Sequence, residues 1–275
     1  MNHVKWIPIL STLLLLGSCG APARRTPARE SFGSNPLWND GRAEVSIFAG
    51  SDAIDPASRN ARARLVVARA AAGAAAFLVR FSIVPSPSAP GDSTTTLATL
   101  DAQSLEPSRL VVTRIRGADT TVVTTSPAGP DSVRVAIESR GTSHGGGAAV
   151  WRWPDSKRPR AYADALPVWL RQWAGEKTNF EMPIWLVPGL GSVTRPDATP
   201  APVDAEVRRM DGGIVVTPAG RFDAIEFAVA RDGEADAFWF SAAYPHELLK
   251  VLTAGHLAFE LRSRERLAGA APSSR

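Results

Sequence analysis

The 275-residue chain contains one cysteine, two tyrosines, three methionines and four histidines. A single thiol can close no intrachain disulfide, so stability has to come from a buried core. Apart from His3, the histidines are His144, His246 and His256, and none shows HxH, HExxH or His-plus-Cys spacing. No metal site and no cofactor are therefore expected. No P-loop and no G-x-G-x-x-G after a strand is present to cradle a nucleotide. The 31 basic and 27 acidic residues leave a formal charge of +4, spread without a run of five or six like charges. That pattern excludes nucleic acid from the expected partners.

Long apolar runs are also absent, except at the start. A polar opening with Lys5 leads into the run Trp6 to Leu16 and then to small residues. This is the layout of a secretory signal over residues 1–18, and it is too short for a comfortable membrane span of about 20 residues. The order Leu16-Gly17-Ser18-Cys19 resembles the bacterial lipoprotein box. The resemblance implies diacylation of the Cys19 thiol, cleavage before it and acylation of the new amino terminus. Several acyl chains, at about 0.8 kcal/mol per buried CH₂, make a stable anchor. Gly20, not Asp, follows the cysteine, which by the known sorting rule favours the outer membrane, facing the periplasm. Residues 19–36 are rich in Pro, Arg and Ser, too poor in apolar surface to order themselves, and read as a flexible tether.

From residue 37 to 263 the pattern is that of a single β-rich domain: short alternating runs separated by Gly, Pro, Asp and Ser. The alternation is clear in "DSVRVAIES", where Val133, Val135 and Ile137 share one face and Arg134, Ala136 and Glu138 the other. One wet and one dry face favours antiparallel sheets. The expected fold is all-β and antiparallel. Asp232-Gly233 in "RDGE" marks a hairpin, and "TAGH" around Gly255 another. The alanine-rich stretch from Ala68 to Ala76 is read as a hairpin around Gly73. One short helix is expected near 164–175, from Leu166, Trp169, Leu170 and Trp173 at helical spacing, with Asp164 as cap and Gly175 as stop. The rest of 141–202 is left open, and 264–275 reads as a disordered tail.

Catalytic signals are weak. "SHGGG" at Ser143–Gly147 could expose backbone N–H groups like an oxyanion loop, but no G-x-S-x-G accompanies it, and a flexible loop is the reading adopted. Asp223 with Glu226, and Asp232 with Glu234, fall beside strand ends, where solvated charge is the default. No catalytic residue is assigned. Tryptophan is the unusual component, with Trp151, Trp153, Trp169, Trp173 and Trp185 in the central third and Trp239 in "AFWFSA". Trp151, Trp153, Trp185 and Trp239 are taken as candidates to line a concave site for a lipid or other apolar ligand. Core packing is the reading placed ahead of it, because the helix-spaced pair Trp169 and Trp173 already needs something to bury against.

In the last third, "VVTPAGRFDAIEFAVARDGEADAFWFSAAYPHELLKV" and the closing "FELRS" resemble the uncharacterised envelope-protein family known as domain of unknown function 3108. Upstream, "TLDAQSLEPSRLVV" looks like the segment in which a strand of that family ends at a Thr/Ser-Leu-x-Pro turn. The resemblance implies a large curved antiparallel sheet, closing part of the way to a barrel and exported to the envelope, similar in outline to half-barrel lipoprotein carriers, and carries no ligand residues. The expected function is a cell-envelope lipoprotein acting as a binding or structural module, joined to the membrane through its lipid, with an apolar ligand or an envelope protein as partner. Two alternatives stand beside it: an enzyme acting on envelope glycans or peptides, with Ser143 or Ser192 beside a histidine as its mark, and a structural part whose strand edges pair by β-addition.

Overall fold

The computed structural model describes residues 43–50, 60–70, 76–84, 92–142, 144–155, 157–189, 199–253 and 258–267. The signal, Cys19, the tether, Ser143, Ser192 and His256 lie outside these.

Eight strands follow one another in the first half: β1 (Ala43–Gly50), β2 (Arg62–Arg69), β3 (Ala76–Val84), β4 (Ser93–Asp101), β5 (Pro107–Arg116), β6 (Asp119–Gly129), β7 (Ser132–Arg140) and β8 (Gly145–Arg152). The second half holds β9 (Arg160–Tyr162), β10 (Phe180–Val187), β11 (Val203–Thr217), β12 (Gly220–Arg231), β13 (Glu234–Ser241), β14 (Leu248–Leu252) and β15 (Ala258–Leu267). All fifteen form one sheet in the order β8-β7-β6-β5-β4-β3-β2-β1-β15-β14-β13-β12-β11-β10-β9. The fold is thus all-β, a large curved sheet that does not close into a barrel.

Chain order explains this arrangement. Strands β1 to β8 and β10 to β15 are each an up-and-down meander, and the first and last strands pair antiparallel at the centre of the sheet, Val45 opposite Glu265. The two edges, β8 and β9, are therefore consecutive in the chain. They approach at one corner through side chains, not through a ladder. Trp153 and Tyr162 meet edge to face at 6.3 Å, and Arg160 Nη1 donates to the Pro130 carbonyl at 2.6 Å.

Turn chemistry matches the sequence closely. Asp232 (φ 48°) and Gly233 (φ 82°) are both left-handed, the geometry a two-residue hairpin needs to follow the sheet twist. At Thr217-Pro218-Ala219-Gly220, the Ala219 N–H reaches Thr217 Oγ1 at 3.2 Å and the Leu261 carbonyl at 3.1 Å. The hairpin between β2 and β3 is also present, with Ala70 N–H donating to Ala76 O at 3.0 Å.

Four details depart from the sequence reading. Gly145–Gly147 open a strand where a loop is expected, because the alternating β7 supplies an unbroken ladder from Ser139↔Gly145 to Ser132↔Arg152 and outweighs glycine's poor strand propensity. The short β9 is missed entirely. Asp211-Gly212-Gly213, a turn signal by composition, instead forms a bulge at Gly212 inside the continuous strand β11. The last strand runs to Leu267, past the expected boundary at Ser263.

The helix occupies residues 163–173 as a 3-10 turn (Ala163–Ala165), one α-turn (Leu166–Trp169) and a second 3-10 turn (Leu170–Trp173). Its N-cap is Tyr162, with no side-chain cap bond, so the expected capping by Asp164 is not seen. The segment has a topological task. β9 and β10 are paired in parallel, and parallel neighbours require a crossover connection, which 163–179 provides. The crossover packs into the concave side of the sheet, where Leu166, Trp169, Leu170 and Trp173 are completely buried in the main core with Phe77, Leu100, Phe180, Phe227 and Phe259. Trp169 and Trp173 meet edge to face at 4.3 Å.

Candidate functional site

Strand alternation decides where the predicted tryptophans go. Trp151, opposite Val133, shares the inner face, and Trp153 is buried in the core. Trp185 and Trp239 point the other way, since their neighbours Ile184, Leu186, Phe238 and Phe240 fill the inside. The structure therefore does not bring the four onto one concave surface. On the outer face each ring sits under a cation: Arg158 lies 5.0 Å from Trp185 and pairs with Asp204 at 3.0 Å, the residue opposite Trp185 on β11. Around Trp239 a row crosses four strands, Glu226, Trp239, Lys250 and Glu260. The indole N–H donates to Glu226 Oε2 at 3.1 Å, and Lys250 Nζ stands 4.8 Å over the ring. These two aromatics are partnered parts of an outer surface.

The inner face is already filled by the helical segment. That segment is held by more than apolar contact. Arg171, fully buried, forks onto Glu44 of β1 with Nη2–Oε1 at 2.8 Å and Nη1–Oε2 at 3.1 Å. Gln172, also fully buried, donates to the Trp169 carbonyl at 2.8 Å. Its Oε1, and the indole N–H of Trp169, find no partner among the described residues. Tyr162, where the segment begins, has its phenol pushed up to about 12, by burial first and by the negative charge of Glu106 second, with Arg160 opposing.

Where the crossover leaves the core, a cleft of about 690 Å³ opens between it, the middle of β11 and the first half of β12. Its walls are Gly175, Glu176, Lys177 and Asn179 on the crossover, Arg209, Asp211 and Ile214 on β11, and Asp223 on β12. The Gly212 bulge shapes this wall. A side chain at Gly212 would meet the backbone of Ala224 and Glu226 at 3.1 Å, tighter than ordinary van der Waals contact, so glycine suits this close approach of the two strands. Gly213, at φ +61°, then turns the chain, and its N–H is held by Asp211 Oδ1 at 3.0 Å.

Arg209 is the chemically distinctive group. It sits on the inward parity of β11 with Ala205 and Val207 and is only 8% exposed. Its Nη1 donates to Asn179 Oδ1 at 3.3 Å, while Nε–H has no acceptor among the described residues. Burial pushes its pKa below the usual arginine value, and Glu176 and Asp211 push it back up. A guanidinium that lines an open cleft can donate to an acceptor group there, a carboxylate or a sugar oxygen. Around it Lys177 and Asn179 add donors, and Glu176, Asp211 and Asp223 add acceptors. The arrangement suits a polar ligand carrying both.

Of the other sequence candidates, His144 lies just before β8. His246, at φ 58°, is buried with its Nδ1 3.0 Å from the Ser241 carbonyl. Among the described residues no group of three or more His, Cys, Asp or Glu could hold a metal ion. Arg209 itself was missed by motif reading, although a signal exists: in "AEVRR" a charged residue takes the position that alternation assigns to the dry side. Glu44 and Ser46 ahead of Phe48 in "AEVSIF" carry the same signal.

No protein-family model matches the chain, and no curated protein matches it. Among solved structures, the chain is similar to a β-barrel-like protein of domain of unknown function DUF1849 from Brucella abortus. That likeness has a TM-score of 0.47 at 9% identity and covers 82% of this chain and 98% of that one. It is also similar to a Bacteroides fragilis protein with a YmcC-like fold, at a TM-score of 0.23 and 10% identity, covering 82% and 96%.

Proposed function

We propose that this chain is a lipid-anchored module of the cell envelope that acts by binding, with the cleft around Arg209 as its ligand site. The anchor is the acylated Cys19, the residues 19–36 are its tether, and the membrane is the outer one, facing the periplasm. This keeps the reading drawn from the resemblance to domain of unknown function 3108, an exported curved sheet, and changes the ligand. The observation that supports the change is Arg209, whose nearly buried guanidinium lines a polar cleft, while the concave face expected to take an acyl chain is packed against Trp169 and Trp173.

The test has two arms. Cys19→Ser, expressed with its signal in a Gram-negative host, loses metabolic palmitate label and leaves the membrane fraction if the anchor is as proposed. Native mass spectrometry and ligand-detected NMR against short acidic peptides and envelope oligosaccharides then compare the chain with Arg209→Gln. A ligand bound by the first and lost in the second supports the site. Equal binding by both, or none in either, overturns it.

A second reading retains the apolar ligand. It is favoured by the Trp169 indole and Gln172 carbonyl, which have no partner among the described residues, each costing about 1–3 kcal/mol when buried and unbonded, so that the helical segment is a poorly satisfied filling that a lipid could displace. In that case Trp151 and Trp153 line the vacated surface, and a copurifying lipid of defined mass identifies it.

A further inference from the structure

We propose that β8 is a pairing edge and that its occupant is the β8 of a second copy of this chain, joined antiparallel about a two-fold axis. β8 is the last strand of the fifteen-stranded sheet on its side, and among the described residues its ladder partner is β7 alone. Sheet edges that must stay free are blunted by lysine, proline, a bulge or an inward charge. From Gly145 to Trp151 this one has none of these: the sequence is Gly-Gly-Gly-Ala-Ala-Val-Trp, and its register with β7 runs without a shift. Val150 on the outer face is 59% exposed.

The ladder shows which groups are on offer. Trp153 N–H donates to the Asp131 carbonyl at 3.0 Å, so by strand alternation the odd-numbered residues of β8 face β7, and Gly146, Ala148, Val150 and Arg152 turn their N–H and C=O outward. Two such strands can meet about a two-fold axis only in registers that set these even-numbered residues opposite one another. Two registers cover the strand, one centred on Ala148 and one on Ala149. In the first, Trp151 faces Gly145 and Arg152 faces His144. In the second, Trp151 faces Gly147 and Arg152 faces Gly146. Both place the indole over a glycine, the pairing that rescues glycine in strands, and neither sets Arg152 against its own copy. The alternation of large with small is thus self-complementary, and no charge is set against its own copy.

The nearest rival occupant within the chain fits worse. The segment 19–36 carries Pro22, Pro27 and Pro36 among Arg24, Arg25 and Arg29. Proline offers no N–H to a ladder.

The lone native cysteine, expected to be acylated, makes the test direct. In the full-length chain, extracted in mild detergent, Ala148→Cys and Ala149→Cys are oxidised at low micromolar concentration beside Arg134→Cys, an exposed site on the outer face of β7. Paired Cα atoms about 4.5–5.5 Å apart across the axis lie within disulfide reach. The expected result is a covalent dimer from one of the first two variants and none from Arg134→Cys. Val150→Pro, which removes an outward N–H and leaves the β7 ladder bonds, and Ala148→Lys, which sets two ammonium groups close to the axis, each reduce dimer formation at least tenfold, with unchanged far-UV circular dichroism. A monomer at tens of micromolar with no cross-link at either position overturns the proposal. So does equal cross-linking of all three variants, or a different protein held on β8 in fixed stoichiometry. None of these outcomes depends on the Arg209 cleft.

Discussion

Removing one member of the Arg171–Glu44 pair is expected to unfold the helical segment from inside the sheet. The pair is bidentate at 2.8 and 3.1 Å, with side-chain exposures of 0% and 8%, and it joins the crossover to β1 across the whole core. Arg171→Met leaves Glu44 buried without its main partner, and Glu44→Leu does the same to Arg171. Stranding a buried charge in this way costs about 3–5 kcal/mol. For a domain of this size that is roughly a 6–20 °C fall in Tm. The double variant, in which both positions are apolar, removes the stranded charge along with the attraction. It is expected within about 1–2 kcal/mol of the starting protein, or above it. Urea unfolding followed by tryptophan fluorescence measures all four corners of the cycle, and the coupling energy should then be about 3 kcal/mol or more. Single losses below about 1 kcal/mol, or a double loss equal to the sum of the singles, would refute the claim that this pair is a desolvated clamp on the crossover.

Three further outcomes follow from the same geometry. Trp169→Ala, which empties a completely buried site, should cost about 3–5 kcal/mol in the same urea assay. Gly141→Ala should be among the most damaging single substitutions in the β6–β7 region, because a Cβ at φ +114° would stand 2.6 Å from the Ala118 carbonyl and 2.9 Å from the Asp119 Cα; thermal unfolding gives the loss. Arg209→Met replaces a guanidinium whose buried Nε–H has no acceptor among the described residues, so it should leave Tm unchanged or raise it while abolishing ligand binding, the trade-off expected of a site kept for function.

The sheet was legible in the sequence because its signal is periodic and local. Val133, Val135 and Ile137 announce a strand and a dry face without reference to anything distant, and Asp232-Gly233 fixes a hairpin by conformation alone. What was not legible depends on partners far away in the chain. Gly145–Gly147 become a strand only because β7 presents a complete ladder, and Arg160–Tyr162 only because β10 lies beside them after the crossover. The two faces of the tryptophan set follow from register: Trp185 is one residue from Ile184 and Leu186, and a shift of one position reverses the face. Counting tryptophans therefore located aromatic surface without saying which side of the sheet it served. The Arg209 cleft was half visible, as a charge on the wrong parity of an otherwise regular strand, but Asn179 and Asp223 reach it from segments that no local pattern connects.

Tyr162 gives the clearest pH test of how the crossover is anchored. Its phenol has a folded pKa of about 12 against an ordinary value of 10. A pKa raised on folding means that the folded state holds the proton more tightly. The associated stability is fully present below pH 10 and is lost as the pH rises from 10 through 12. Two units correspond to about 2–3 kcal/mol, and the group is largely buried, so little of this is screened. The chain has only one other tyrosine, Tyr244, which is 47% exposed. In Tyr244→Phe the phenolate absorbance therefore reports Tyr162 alone, and it should appear with a midpoint near 12 that falls to about 10 in urea. Tyr162→Phe should keep the edge-to-face contact with Trp153 and flatten the loss of stability above pH 10. A native midpoint near 10 would mean that water reaches the phenol, and that the corner where β8 and β9 approach is open, not sealed.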